Sequence, residues 1–363
     1  MTEAASSPFP KIDKAAWRKA IAPYQKSDLR RSLWQVATSF IPFFVFWYLM
    51  YRSLEVSYLL TLLLAPITAG FVMRIFIIFH DCGHGSFFKS QKANDITGTI
   101  AGIIAFTPYY AWRHSHAVHH ATSGDLDRRG IGDIWTLTKE EFEKLPRWQR
   151  FGYRVYRNPF IIFVVGPFLD FVVLQRFVSM NAATGSREKN SVIFTNLALL
   201  VLVIVMSLLI GVKALLLVQL PIIAIASSAG VYMFYVQHQY ENTYWEHHEQ
   251  WDFATAALYG SSYFKLPRIL QWFSGNIGFH HIHHLSPRIP NYELERCHNE
   301  NPMFQVEPMT IRTSLKSIWV RLWDEDRHKL VGYHDDLEGD EEQITTDNPA
   351  ASLFGSAPLP EEA

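Results

Sequence analysis

The chain has 363 residues, of which 49% are hydrophobic and only 18% charged, against about 25% charged in ordinary soluble proteins. Net charge is -1, with 33 Lys and Arg against 34 Asp and Glu, so nothing marks a nucleic-acid partner. The two cysteines, Cys82 and Cys297, exclude a disulfide framework and a cysteine-rich zinc pattern, while 16 histidines are an excess that falls mostly in three short windows.

Residues 1–32 are polar and basic, with Lys14, Arg18, Lys19, Arg30 and Arg31 among them. No apolar stretch with a cleavage site follows directly, so a segment lying along the membrane surface is expected and a signal peptide is not. Two apolar runs come next, 33–50 and 58–79. Each is near the roughly 20 helical residues that cross a bilayer core of about 30 Å. A short turn at Arg52 and Glu55 joins them, which predicts a transmembrane hairpin.

Residues 95–111 are apolar but interrupted by Gly98, Gly102 and Pro108, and too short to cross and return. A partly buried or re-entrant segment is expected. Residues 121–157 are charged and turn-rich, and 159–180 are apolar but broken by Gly166, Pro167, Asp170, Gln175 and Arg176. That pattern predicts an interfacial helix with a polar edge. The runs 192–210 and 214–236, separated by Gly211-Val212-Lys213, predict a second hairpin.

The expected organisation is a surface segment (1–32), a membrane domain with its cap (33–320) and a polar tail (321–363). The acidic, proline-containing end of that tail, 338–363, is expected to be disordered. The hairpin turns hold only Arg52 and Lys213, whereas 1–32 and 80–190 are dense in Lys and Arg. The positive-inside rule then places both termini and every histidine cluster in the cytoplasm. The fold class that follows is an all-α membrane protein: four transmembrane helices in two hairpins, under a cytosolic helical cap that holds a histidine-rich dimetal site.

The clusters are HDCGH at 80–84, HSHAVHH at 114–120 and HHIHH at 280–284. His80 and His84 are four apart, one turn of a helix. His116, His119 and His120 stand at i, i+3 and i+4, and His280, His283 and His284 repeat that spacing. His238 ends the second hairpin as His80 ends the first. Nine imidazoles exceed what one ion can use, and two ions with four and five nitrogen ligands would use them all. Imidazole suits zinc or iron; a membrane site built for redox chemistry favours iron.

A lone histidine pair is often an ordinary polar pair, but three clusters of one spacing on one face are not. His114 and His281 fall off the repeat. His247 and His248 sit beside Trp251 and Asp252 as in a surface loop. His298, His328 and His334 read as ordinary polar histidines, with His298 the best placed for support. Asp81, Asp125 and Asn276 could fix imidazole tautomers from a second layer, or simply cap helices and form turns.

HDCGH, HAVHH within 112–120, and HHIHH within NIGFHHIHHLSPRIPNY (276–292) together resemble the three histidine boxes of membrane fatty acid desaturases. The likeness is greatest to the bacterial, cyanobacterial and plastid delta-12 (omega-6) acyl-lipid branch, and GDLDRRGIGDIWTLT (124–138) adds to it. The resemblance covers roughly 35–320. It implies a di-iron centre held by His80, His84, His116, His119, His120, His238, His280, His283 and His284, in a bacterial inner membrane. It further implies an acyl-lipid substrate, O₂, and a separate electron donor such as ferredoxin or a cytochrome b5-like protein. The implied product is a cis double bond, at carbon 12 of an oleoyl group. Delta-9 or omega-3 positions, acyl hydroxylation and carotenoid oxidation use the same boxes. A histidine-rich metal transporter is the alternative of another class; it should carry polar groups at mid-bilayer, and the four runs offer chiefly Gln219.

Overall fold

The structure is a computed structural model and describes residues 9, 10, 12–177 and 185–333. The acidic end of the tail and His334 lie outside the described residues.

Among the described residues four helices are long and apolar enough to cross a membrane. After a short helix α1 (Lys14–Ile21), α2 (Leu29–Ser53) starts where the Asp28 carboxylate accepts from the Arg31 N–H. Helix α3 (Tyr58–His84) is capped by Ser57 and stopped by Gly85, whose left-handed φ of 70° no branched side chain would favour. At 27 residues its length is about 40 Å, more than the roughly 30 Å hydrocarbon core. The first histidine cluster is therefore the last turn of the span itself, lifted clear of the core. Helices α2 and α3 pack together through Phe43, Met50, Ala65, Ala69 and Val72.

Helices α4 (Gln91–Ile104) and α5 (Tyr109–Thr122) are 14 residues each, about 21 Å, so neither crosses. Tyr109 packs on Gly98, and its hydroxyl donates to the Cys82 carbonyl at 2.7 Å, which docks α5 on α3. Two cap helices follow, α6 (Lys139–Lys144) and α7 (Arg147–Tyr156). The stretch expected as one interfacial helix is broken instead. A π-helical turn at Ile161–Val165 leads into α8 (Gly166–Val172), which has Pro167 in its first turn, and a 3-10 turn at Leu174–Arg176 closes it. Helix α7 and this continuation meet at 55° and together could form a bent or re-entrant crossing. Helices α9 (Ser186–Ile210) and α10 (Val212–His238) form the second hairpin about Gly211, and α10 lies against α3.

The remaining helices build the cap: α11 (Phe253–Tyr259), α12 (Arg268–Phe273), α13 (His280–Leu285), α14 (Asn291–Glu300) and α15 (Ile311–Ser314). Among the described residues five short strands, not expected from the sequence, tie it together. Strands β1 (Leu137–Thr138), β4 (Leu322–Asp324) and β5 (Lys329–Val331) form one sheet, and β2 (Tyr263–Lys265) pairs with β3 (Pro308–Thr310).

The β4–β5 hairpin buries Trp323 and Leu330 against Trp245 and Leu126, so the folded unit continues past residue 320 to Gly332. Helix α1 and the turn after it bury Trp17, Ile21 and Tyr24 with Ile282, Leu285 and Leu294.

The charge distribution predicts the cap on the cytoplasmic side, and the two native cysteines are buried and should stay silent to labelling. Single cysteines at Glu55 and Lys213 are expected to react with an impermeant maleimide added to intact cells, and one at Glu143 only after permeabilisation. The reverse labelling pattern would invert the orientation.

Candidate metal centre

Nine histidines from four helices converge at the junction of spans and cap. Seven of them are buried, and His84 and His116 half-buried. They form two groups, His80, His84, His116, His120 and His283 in the first, and His119, His238, His280 and His284 in the second. The donor atoms within a group all lie within 4.8 Å of one another.

The partition follows helix geometry. Residues i and i+4 are about 40° apart around a helix, whereas i+3 and i+4 are about 100° apart. So His80 and His84 stay together, as do His116 and His120, and His280 and His284. The i+3 member of each triplet, His119 or His283, crosses to the other group. Each triplet thereby braces both groups at once.

Hydrogen-bond chemistry tests whether these residues suit metal ions. His119 Nδ1 lies 2.5 Å from Asp133 Oδ1, and His238 Nδ1 lies 3.1 Å from the Gly260 carbonyl. Both partners only accept, so both Nδ1 atoms carry the proton and both Nε2 atoms present bare lone pairs. Those two Nε2 atoms face each other at 3.3 Å. His80 Nδ1 is likewise 3.0 Å from Asp81 Oδ1.

Burial, and then the neighbouring imidazoles, hold His116, His120, His280, His283 and His284 well below the usual imidazole range. Proton uptake is therefore disfavoured there and does not relieve the crowding. His84 Nε2 and His284 Nε2 are buried with no hydrogen-bond partner. Facing lone pairs and orphaned nitrogens are costly in a dry interior unless a cation sits among them. The residues fit two ions bound through nitrogen.

The expected supporting residues divide. Asp81 meets His80 and is itself held by the Asn291 N–H at 2.7 Å and the Asn291 side-chain amide at 2.8 Å. Asp125 turns away from the nine, to His248 Nδ1 (2.9 Å) and Arg128 Nε (2.6 Å). Asn276, at φ 60°, bonds Gln271 and the Asn291 carbonyl and touches none of the nine, because its left-handed turn aims it at the start of α14.

Asp133 was not anticipated; its signal was Gly130-Ile131-Gly132 just before it, a loop built for close approach. His114 stands outside both groups. His281 pairs with His298 at 3.0 Å, and burial pushes it down to about 3. His247 joins Asp127 and Glu325 on the surface, and its hydrogen bond to the Asp127 carboxylate raises its pKa.

Beside the histidines lies a cavity of about 1030 Å³ with Val72, Phe76, Trp112, Phe234 and Ile277 on its wall. His80, His116 and His280 reach it. Trp112 stacks on His116 with ring centroids 4.2 Å apart. Along α10 the lining runs from Gln219 to Gln237, about 27 Å of helix.

A four-span helical bundle with two histidine clusters poised to chelate metal beside a long apolar cavity defines a helical membrane protein with a candidate dimetal site. A sequence profile described as fatty acid desaturase matches residues 56–310, and the chain belongs to that family. A fatty acid desaturase of Bacillus subtilis (strain 168) is 48% identical over 316 residues, 87% of this chain and 89% of that one. An sn-1 oleoyl-lipid 12-desaturase of Synechocystis sp. is 29% identical over 235 residues, 61% of this chain and 63% of that one. An endoplasmic-reticulum omega-3 fatty acid desaturase of Vigna radiata is 26% identical over 252 residues, 63% and 61%. The chain thus spans less than two thirds of the length of the last two.

Proposed function

We propose that the protein is an O₂-dependent acyl-lipid desaturase that inserts a cis double bond at carbon 12 of an oleoyl group, at the cytoplasmic face of a bacterial inner membrane. The observation that carries the reading is the apolar cavity lined by His80, His116 and His280. The nine histidines are its proposed ligands: five on one iron and four on the other.

Bound there, two irons supply the oxidising power that unactivated methylenes demand, with O₂ and two electrons from a separate protein such as ferredoxin or a cytochrome b5-like donor. The balance is one –CH₂–CH₂– unit, O₂, two electrons and two protons giving –CH=CH– and two waters.

The chain's own residues supply placement and dryness. Phe76, Ile77, Trp112 and Phe234 form an apolar wall beside the histidines that holds the acyl chain and excludes water. The route in is lateral. Leu169, Leu174 and Phe177 line the cavity and are also exposed on the outer surface of the protein, so a lipid's acyl chain can enter from the bilayer at the edge formed by α8 and the 3-10 turn after it. One leaflet's acyl layer is about half of the roughly 30 Å core, and the cavity is long enough for a whole chain.

Position is assigned from the extended third box, 276–292, and from the named activity of the Synechocystis relative. The test is expression in a bacterium without polyunsaturated lipids, supplied with oleate, followed by gas chromatography–mass spectrometry and iron analysis of the purified protein. Linoleate in the lipids and two irons per chain are the expected results. An omega-3 product from supplied linoleate, a double bond elsewhere, or a hydroxy acid would refute the position or the outcome. Zinc without iron would refute the redox chemistry.

A further inference from the structure

We propose that Asp133 is the positioning residue of the second metal group: it fixes the tautomer and rotation of His119, and the ion held by His119, His238, His280 and His284 depends on it. The proposal rests on the two-metal reading above.

The contact is short and enclosed. Asp133 Oδ1 is 2.5 Å from His119 Nδ1, and His119 is 1% exposed. An ionised carboxylate can only accept here, so the proton is kept on Nδ1 and Nε2 is left bare toward His238 and its group. A negative charge on the far nitrogen also makes the imidazole a stronger donor.

The loop is shaped to deliver this one carboxylate. Gly130 and Gly132 have φ of 113° and 75°. A Cβ on Gly132 would stand 3.1 Å from both His119 Cβ and the Ser115 carbonyl oxygen, so a side chain there would push the loop off α5. The Gly130 N–H donates to the other Asp133 oxygen at 3.3 Å, which orients the carboxylate.

The two groups are backed alike but anchored differently. Asp81 supports His80 from the adjacent position on the same helix, and both Asn291 donors lock it in the interior. Asp133 supports His119 from a loop fourteen residues downstream, on the cavity wall. The second ion is therefore the one whose retention a loop residue controls.

The test uses the full-length protein purified with iron, as wild type, Asp133→Ala, Asp133→Asn and the loop control Asp127→Asn. Iron per chain and the rate of loss to a ferrous chelator are measured alongside thermal unfolding. Wild type and Asp127→Asn are expected to hold two irons. Asp133→Ala is expected to retain one and to release the other ten- to a hundredfold faster. Asp133→Asn keeps an oxygen that accepts the Nδ1–H without the charge, and should restore intermediate retention at an unchanged unfolding temperature. Should the alanine variant fail to fold, the asparagine variant alone decides: retention equal to wild type overturns the proposal, as does an alanine variant with two equally held irons. A wild-type protein that holds no iron overturns the metal reading instead.

Discussion

The variant His238→Ala is expected to lose all desaturation and to keep one metal ion of two. His238 is buried, and its Nε2 lies 3.3 Å from that of His119 and 2.9 Å from that of His280, so it is the middle member of the second group. Without it three nitrogens remain, and no other described histidine stands close enough to replace it. His247→Ala is the comparison. That side chain is exposed and pairs with Asp127 and Glu325 at the surface, an arrangement worth about 0–1 kcal/mol. Product formation and iron content distinguish the two variants, with His247→Ala near wild type in both. An active His238→Ala protein with two irons would remove His238 from the ligand set.

Gly278→Ala is expected to be nearly as damaging, although it touches no imidazole. A Cβ at 278 would stand 2.3 Å from the Phe264 carbonyl oxygen, and the Gly278 carbonyl accepts from the Phe264 N–H at 2.7 Å. Both partners are backbone, so neither can swing away. The strain is about 1–3 kcal/mol, and its natural relief is displacement of α13, which starts two residues later and carries His280, His283 and His284. A shift of about 1 Å in a catalytic group can cost about a hundredfold in rate. Gly152→Ala is the control: nothing lies within 4 Å of its Cβ, and alanine in a helix interior is favoured over glycine by up to about 1 kcal/mol. Gly278→Ala is expected to lower both turnover and the unfolding temperature, and Gly152→Ala to leave turnover unchanged and raise the unfolding temperature slightly; a Gly278→Ala protein as active as wild type would show that α13 tolerates the shift.

The spans, the hairpins and eight of the nine converging histidines were legible because each rests on a period, and His238 because it ends a span as His80 does. Hydrophobic runs of bilayer length and imidazoles at i, i+3 and i+4 are repeats that survive folding unchanged. What was illegible lacks a period. Asp133 reaches His119 across a loop, and only the two glycines before it hint at close approach. Asn276 sits one turn before His280 in sequence, yet a positive φ turns it to Asn291. Asp125 lies closer in sequence to the second cluster than Asp133 does, yet Arg128 and His248 claim it. The strands of two or three residues leave too little alternation to detect, and the folded hairpin at 322–331 was hidden in a polar stretch whose anchors are Trp323 and Leu330. The break at 161–166 needs the π-helical turn, which no composition announces.

The crossing of His119 and His283 between groups bears on how the centre is assembled as the chain is made. Four of the five donors of the first group lie within 80–120, whereas three of the four of the second lie beyond 237. A chain synthesised from its N-terminus therefore presents a nearly complete first pocket long before the second exists. His283 arrives on a six-residue helix, too short to hold itself, which leans on Trp17 and Ile21 from the first-made end. Closure of both pockets is thus a late event between distant parts of the chain. A ribosome-bound chain stalled before residue 280 would offer iron one incomplete binding place, not two.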